Sequence, residues 1–308
     1  MRKKTLATRD GSHPSSEEML LKLLCGMLPK PSKEVISGIG DDCAVVKFPS
    51  NNDFLQLLKT DAVVEGVHFT PETPLASVGW KALCRPISDI AATGGMPKHA
   101  LITVAAPSSW RKNEWRSLYR GIGKASLSFD ISVIGGETVR SPGPLFISVA
   151  IAGYARKENL RFRSGGHPGD LICVTGRLGG SFKSGRHLCF HPRLQEGQWL
   201  SRQSGVTAMM DLSDGLGSDL PKLSSASGCS FHIATEEIPL NRGCSVTDAV
   251  SDGEDYELIF TLHPTKRKSL FKKWRALFPR LPITYIGELT ASSTASSPIA
   301  SGYDHLKP

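Results

Sequence analysis

The sequence has no C-x-x-C pair, no long apolar run and none of the phosphate-binding loops of common kinases and dehydrogenases. Its seven cysteines, Cys25, Cys43, Cys84, Cys173, Cys189, Cys229 and Cys244, are odd in number and widely spaced. This excludes a disulfide framework and a thiolate zinc site, and leaves most of them as small buried hydrophobes. The most apolar stretch, residues 145–155, is about half the roughly 20 residues a membrane helix needs, and Ser148 interrupts it. No membrane partner is expected. Met1-Arg2-Lys3-Lys4 starts like a signal peptide, but polar Thr8-Arg9-Asp10-Gly11-Ser12-His13 follows where an apolar core belongs, so the expected location is cytoplasmic. Aromatic residues are only 7% and the bases are scattered without a nucleic-acid module motif, so no nucleic-acid partner is expected despite a net charge of +8. Anionic small molecules suit that charge better.

What is present is an alternation of short apolar segments. The 308 residues suffice for one large domain or two medium ones, and the 30 Gly and 20 Pro are dispersed, unlike those of a fibrous chain. Ser15 and Glu18 at capping-box spacing predict an N-terminal helix. Residues 44–46, 54–58, 101–106, 131–134 and 145–154 read as strands. Trp80, Leu83, Ile87 and Ile90 recur at helical spacing, with Pro86 expected to kink or divide the helix, and Trp115 to Phe129 give a second amphipathic helix. A basic, glycine-rich stretch from Arg156 to Gly169 marks a domain boundary near residue 156, giving segments 1–155 and 156–308. Beyond it, residues 171–174, 229–234, 257–262 and 283–286 read as strands and 216–225 and 266–277 as helices. The fold class is mixed α/β (α+β). Residues 291–297, small and polar, read as a surface loop.

Acidic residues recur beside glycine or at strand ends: Gly40-Asp41-Asp42, Thr60-Asp61, Ser88-Asp89, Gly135-Gly136-Glu137-Thr138, Asp211-Leu212-Ser213-Asp214-Gly215 and Gly253-Glu254-Asp255. Glycine lets backbone N–H groups approach a phosphate, and carboxylates hold hard cations through oxygen. Any one motif alone reads as a turn or helix cap. Six together point to Mg²⁺, in several copies, with a phosphorylated ligand. Gly176-Arg177-Leu178-Gly179-Gly180 reads equally as a phosphate loop or a plain tight turn.

Five segments carry a resemblance: Gly38-Ile39-Gly40-Asp41-Asp42-Cys43-Ala44, residues 60–69, Ser88-Asp89-Ile90-Ala91-Ala92, Asp211-Leu212-Ser213-Asp214-Gly215-Leu216 and Gly253-Glu254-Asp255-Tyr256-Glu257-Leu258. In order and over nearly the whole chain, they resemble the thiamine-monophosphate kinase family of the aminoimidazole ribonucleotide synthetase-like (PurM-like) superfamily. Gly302-Tyr303-Asp304-His305 resembles that family's ending. The resemblance implies a two-domain PurM-like fold, with an N-terminal ATP- and metal-binding domain and a C-terminal α/β domain, assembled as a homodimer. It implies phosphoryl transfer from ATP to thiamine monophosphate, giving thiamine diphosphate. It further implies Asp42, Thr60, Asp61, Asp89, Glu137, Asp211 and Asp214 as metal ligands, supported by Asp41. Gly136, Glu137, Arg163 and Ser213 would meet ATP, and His68, Glu254 and Tyr303 the thiamine end. No general base is assigned, because the acceptor oxygen is already anionic.

The chain departs from the family pattern in places. Glu137 stands where the family usually has Asp, Lys59 where a small hydroxyl residue is common, Pro86 for Asn and Gly95 for Ala, and residues 176–192 look shortened. Two rival functions follow: another ATP-using enzyme of the superfamily acting on a different metabolite, or a paralogue that binds nucleotide or thiamine phosphate with weakened turnover.

Overall fold

Two β-sheets set the architecture, and each reflects how its strands are patterned. In this computed structural model, residues 31–48 and 51–304 are described, together with Met19. The helix expected from Ser15 lies outside them. The first sheet contains β1 (Val35–Ser37), β2 (Ala44–Phe48), β3 (Asn51–Val64), β4 (Met96–Pro107), β5 (Ser132–Ser141) and β6 (Phe146–Arg156), in the order β1-β2-β3-β6-β4-β5. All neighbours pair antiparallel except β4 and β5. A parallel pair needs a crossover, which α2 (Lys112–Ser128) supplies. Along β4 and β6 buried and more exposed residues alternate, so one face packs on α1 (Leu75–Ala92) and α2 while the other stays open. The same alternation sends Leu57 and Val63 of β3 into the core and leaves Leu58 exposed.

The second sheet contains β7 (Leu171–Thr175), β8 (Val206–Leu212), β9 (Cys229–Ile233), β10 (Glu257–Leu262) and β11 (Ile283–Ala291), all antiparallel in the order β8-β10-β7-β11-β9. Strands β7 and β10 are buried at every residue. Their alternate side chains enter two separate cores: Ile172 and Val174 lie in one, Leu171 and Cys173 in the other. A strand covered on both faces reads as a continuous apolar run, which is why their bounds were legible. The helices of this half are α3 (Ser181–Ser184), α4 (Leu194–Ser201), α5 (Leu216–Ala226), α6 (Val246–Ser251) and α7 (Arg267–Leu277).

Two expectations need correction, and one strand was not foreseen. Helix α1 continues through Pro86 instead of dividing; Leu83, Ile87 and Ile90, all fully buried, hold both flanks in place across the lost hydrogen bond. Strand β8 carries Ala208, Met209 and Met210, residues of helical preference, and pairing with β10 overrides them. Strand β3 extends well beyond residues 54–58.

Helices α1 and α2 cross closely because two glycines permit it. A Cβ on Gly121 would lie 1.8 Å from the Ala76 carbonyl oxygen, and one on Gly79 2.2 Å from that of Leu118. In an isolated helix Gly121→Ala would gain about 1 kcal/mol. Here backbone meets backbone, so the clash dominates and the variant should lose about 3 kcal/mol, measured by urea denaturation. A stabilised Gly121→Ala protein would contradict this packing.

Candidate active site

Three buried carboxylates converge. Asp42 follows a glycine turn after β1, Asp89 lies in the last turns of α1 and Asp211 near the end of β8; they are 1%, 5% and 3% exposed. One oxygen from each lies within 4.8 Å of the others. Their repulsion is partly relieved by local donors. Arg163 places Nε at 3.2 Å and Nη2 at 2.7 Å from Asp42 Oδ1, Lys59 Nζ lies 2.6 Å from Asp89, and the Ser88 hydroxyl donates to Asp211 at 2.6 Å. Among the described residues, the buried Asp42 Oδ2 has no hydrogen-bond partner. Burial, reinforced by the Asp42 charge, pushes the Asp211 carboxyl up to about 6, and burial also raises Asp89 against the pull of Lys59. An orphaned oxygen among three such carboxylates fits a hard divalent cation, for which oxygen donors are the natural set.

The other residues named from the sequence take different positions. Asp41 accepts the backbone N–H groups of Asp42 and Arg163 at 3.1 and 3.3 Å, so it braces the cluster. Thr60 is exposed on β3, its hydroxyl 3.4 Å from that of Ser148. Asp61 pairs with Arg85 of α1 at 3.2 Å. Asp214 pairs with Lys222 at 2.6 Å. Glu137 is exposed on the edge strand β5, where its carboxylate accepts the Thr138 N–H at 2.8 Å. Gly136 has φ +150°, and a Cβ there would lie 1.9 Å from the Ile102 carbonyl, so the position admits only glycine. Ser213 leads into α5 and its carbonyl accepts the Glu254 N–H at 2.7 Å. The 176–180 loop gives its Gly179 and Gly180 N–H groups to Asp255 and Asp252, both at 2.9 Å, so here it acts as a turn.

His68, Glu254 and Tyr303 occupy two places. His68 is buried and its Nδ1 accepts the Val64 N–H at 3.1 Å, which puts the ring proton on Nε2 when it is neutral. Glu254 lies in a strained loop, with φ +66° at Glu254 and +51° at Tyr256, each costing on the order of 1–3 kcal/mol for a residue other than glycine. Its carboxylate meets His187 Nδ1 at 2.8 Å and the ammonium of fully buried Lys81. Tyr303 is exposed, and its backbone N–H donates to the Asp214 carbonyl at 2.8 Å, laying the C-terminal segment over the start of α5.

Comparison with known proteins now adds to this geometry. Residues 40–155 match the family described as AIR synthase related protein, N-terminal domain. The chain is 36% identical over 247 residues to thiamine-monophosphate kinase of Rhodopirellula baltica, covering 75% of this chain and 77% of that one. It is 33% identical to the enzyme of the same description from Salmonella typhimurium, over 89% and 93% of the two chains. The chain belongs to the thiamine-monophosphate kinase family. The solved structure of AaThiL complexed with AMPPCP and TMP superimposes with a TM-score of 0.79 at 30% identity, covering 94% of this chain and 97% of that one. As a member of this kinase family the protein is an enzyme with a PurM-like mixed α/β fold.

Sequence reading passed over several residues that organise this kinase's site. Asp219, fully buried in the first turn of α5, accepts the N–H groups of Ser213 and Asp214 at 2.9 Å each, and burial lifts its carboxyl to about 7. Its position just inside the helix was the available signal. Lys81 reads as a surface residue by type, and His187 sits in a segment without a motif. Burial lowers Lys81 to about 8 against the pull of Glu254. Burial would raise Glu254, yet the His187 hydrogen bond and the Lys81 charge bring it down to about 2.

These shifts nearly offset each other. A carboxyl held at about 2 instead of 4.5 contributes on the order of 3 kcal/mol, and an ammonium held at about 8 instead of 10.5 costs a similar amount at neutral pH. The Glu254 contribution is present above pH 4.5 and is lost as pH falls through about 2. Glu254→Gln should therefore lower the thermal midpoint at pH 7, with a gap from wild type that narrows below pH 4.5. A gap independent of pH would contradict the assigned ionisation.

Proposed function

We propose that this chain transfers the terminal phosphoryl group of ATP to the phosphate of thiamine monophosphate, giving thiamine diphosphate and ADP, in line and with several Mg²⁺ ions. The reading is supported by family membership and by the AMPPCP and TMP held by AaThiL. The observation that carries it is the buried convergence of Asp42, Asp89 and Asp211 with one carboxylate oxygen unpartnered. The acceptor oxygen is already anionic, so the chemistry needs alignment and charge neutralisation more than a general base. Mg²⁺, when bound, supplies that neutralisation on the transferred phosphoryl group. Asp42, Asp89 and Asp211 would form the inner ligand set. Asp61 and Asp214, now paired with Arg85 and Lys222, would join with Thr60 and Glu137 as the outer set. Gly136, Ser213 and Arg163 would meet ATP; the Arg163 fork now on Asp42 is shaped for phosphate oxygens. His68, Glu254 and Tyr303 would face the thiamine end.

The expected behaviour of Asp42→Asn follows from this arrangement. It should keep its thermal midpoint within a few degrees and lose about 100-fold or more in thiamine diphosphate formation with Mg²⁺, ATP and thiamine monophosphate. Full activity would remove Asp42 from the metal site, and ATP consumption only with another acceptor would favour the second enzyme reading.

We propose the domain division near residue 156, each sheet falling on one side of it, and a cytoplasmic homodimer. The open face of the first sheet supports the dimer: Leu58, Leu101 and Ile134 are exposed around a recess of about 380 Å³, and Phe146 is exposed on the same sheet. A second copy covering that face would bury them. Leu101→Glu should shift the protein from dimer to monomer mass in multi-angle light scattering. An unchanged mass would place the interface elsewhere.

A further inference from the structure

Lys81 has no exposed surface, and its ammonium carries three donors. One points to the His68 carbonyl at 2.6 Å, one to His187 Nδ1 at 2.7 Å and one to the Glu254 carboxylate. These three acceptors lie on three segments far apart in sequence: the turn after β3, the 186–188 turn after α3 and the 253–256 loop before β10. From this geometry we propose that Lys81 is a positioning residue that sets the thiamine side of the site, and that His187 is a further residue of that side. The proposal rests on the functional reading above, in which His68 and Glu254 face the thiamine end.

Three observations separate this role from plain stabilisation. The shifts of Lys81 and Glu254 offset each other at neutral pH, so the pair as a whole adds little to the fold, and apolar side chains replacing both would serve it about equally well. The loop that Lys81 anchors holds two non-glycine residues in the left-handed region, Glu254 and Tyr256, and such strain persists only where the surroundings over-determine it. The hub also reaches the surface. The Phe182 ring, 46% exposed, stacks on His187 at 4.5 Å and 18°, so wherever Lys81 fixes His187 it also fixes an exposed aromatic face suited to a heteroaromatic cation. Nδ1 of His187 cannot both accept from Lys81 and donate to Glu254, so the tautomer of His187 decides which of the two contacts is its hydrogen bond. The further charges acting on Lys81 are Arg85 and Asp61.

The test compares the full-length wild type with Lys81→Met. Steady-state kinetics should show KM for thiamine monophosphate raised tenfold or more in the variant, with KM for ATP changed less than twofold. In the wild type KM for thiamine monophosphate should climb as pH rises through about 8, where Lys81 loses its charge, and in the variant it should be high and flat. Backbone hydrogen exchange without substrates should quicken in segments 64–69, 185–190 and 252–256 of the variant and stay unchanged around Asp42. Unchanged exchange in those three segments, or an equal rise in both KM values, overturns the positioning role. A wild type that makes no thiamine diphosphate overturns the functional reading instead, and exchange still decides the role of Lys81. Should Lys81→Met fail to fold, a wild-type KM for thiamine monophosphate that is flat from pH 7 to 9 overturns the proposal by itself.

Discussion

Three like charges packed together in the interior are the constraint on which this molecule is organised. Asp42, Asp89 and Asp211 come from a loop, a helix and a strand, 47 and then 122 residues apart along the chain, and each is almost fully buried. Carboxylates at this spacing repel, and their solvation is gone, so the surrounding chain has to supply donors. It does so from both halves: Lys59 from the first sheet, Ser88 from α1 and Arg163 from the segment between the sheets. The Ser88 to Asp211 bond ties the first helix to the second sheet directly. Much of the remaining local structure keeps these groups in register, including Asp41 under the Asp42 turn and Asp219 under the Ser213-Asp214 turn.

Asp42 and Asp211 were readable in the sequence because a glycine turn and a strand end mark them, and those signals are local; Asp89, inside α1, was marked only by its segment's resemblance to the family. Strands β7 and β10 were readable for a related reason, since burial on both faces leaves an unbroken apolar run. What the sequence did not disclose depends on three-dimensional pairing. Thr60 and Asp61 are adjacent and equal as candidates, but β3 alternates, so Asp61 meets Arg85 on α1 while Thr60 is exposed beside Ser148. Lys81 offers no sequence signal because its three acceptors come from segments that only the fold assembles. Strand β8 was hidden by Ala208, Met209 and Met210, whose local preference is weaker than the ladder they form with β10.

Fixed cations face most of these acids. Asp42, Asp61, Asp89, Asp214 and Glu254 each face a lysine or arginine of this chain: Arg163, Arg85, Lys59, Lys222 and Lys81. Among the described residues, Asp211 has no cation in direct contact and accepts the Ser88 hydroxyl, and one Asp42 oxygen has no hydrogen-bond partner. On the proposed function, a divalent ion drawn to the cluster by the Asp42 oxygen and Asp211 would have to share Asp89 with Lys59 and Asp42 with Arg163, which would weaken its hold compared with three unpaired carboxylates. A polyphosphate changes that balance, because its oxygens are competing partners for the Arg163 fork and for Lys59. Withdrawing those cations from Asp42 and Asp89 would return both carboxylates to the metal. On the proposed function, such a site would favour ion and nucleotide arriving as one unit over an ion held in advance. Lys59, holding Asp89 at 2.6 Å, would strengthen this coupling.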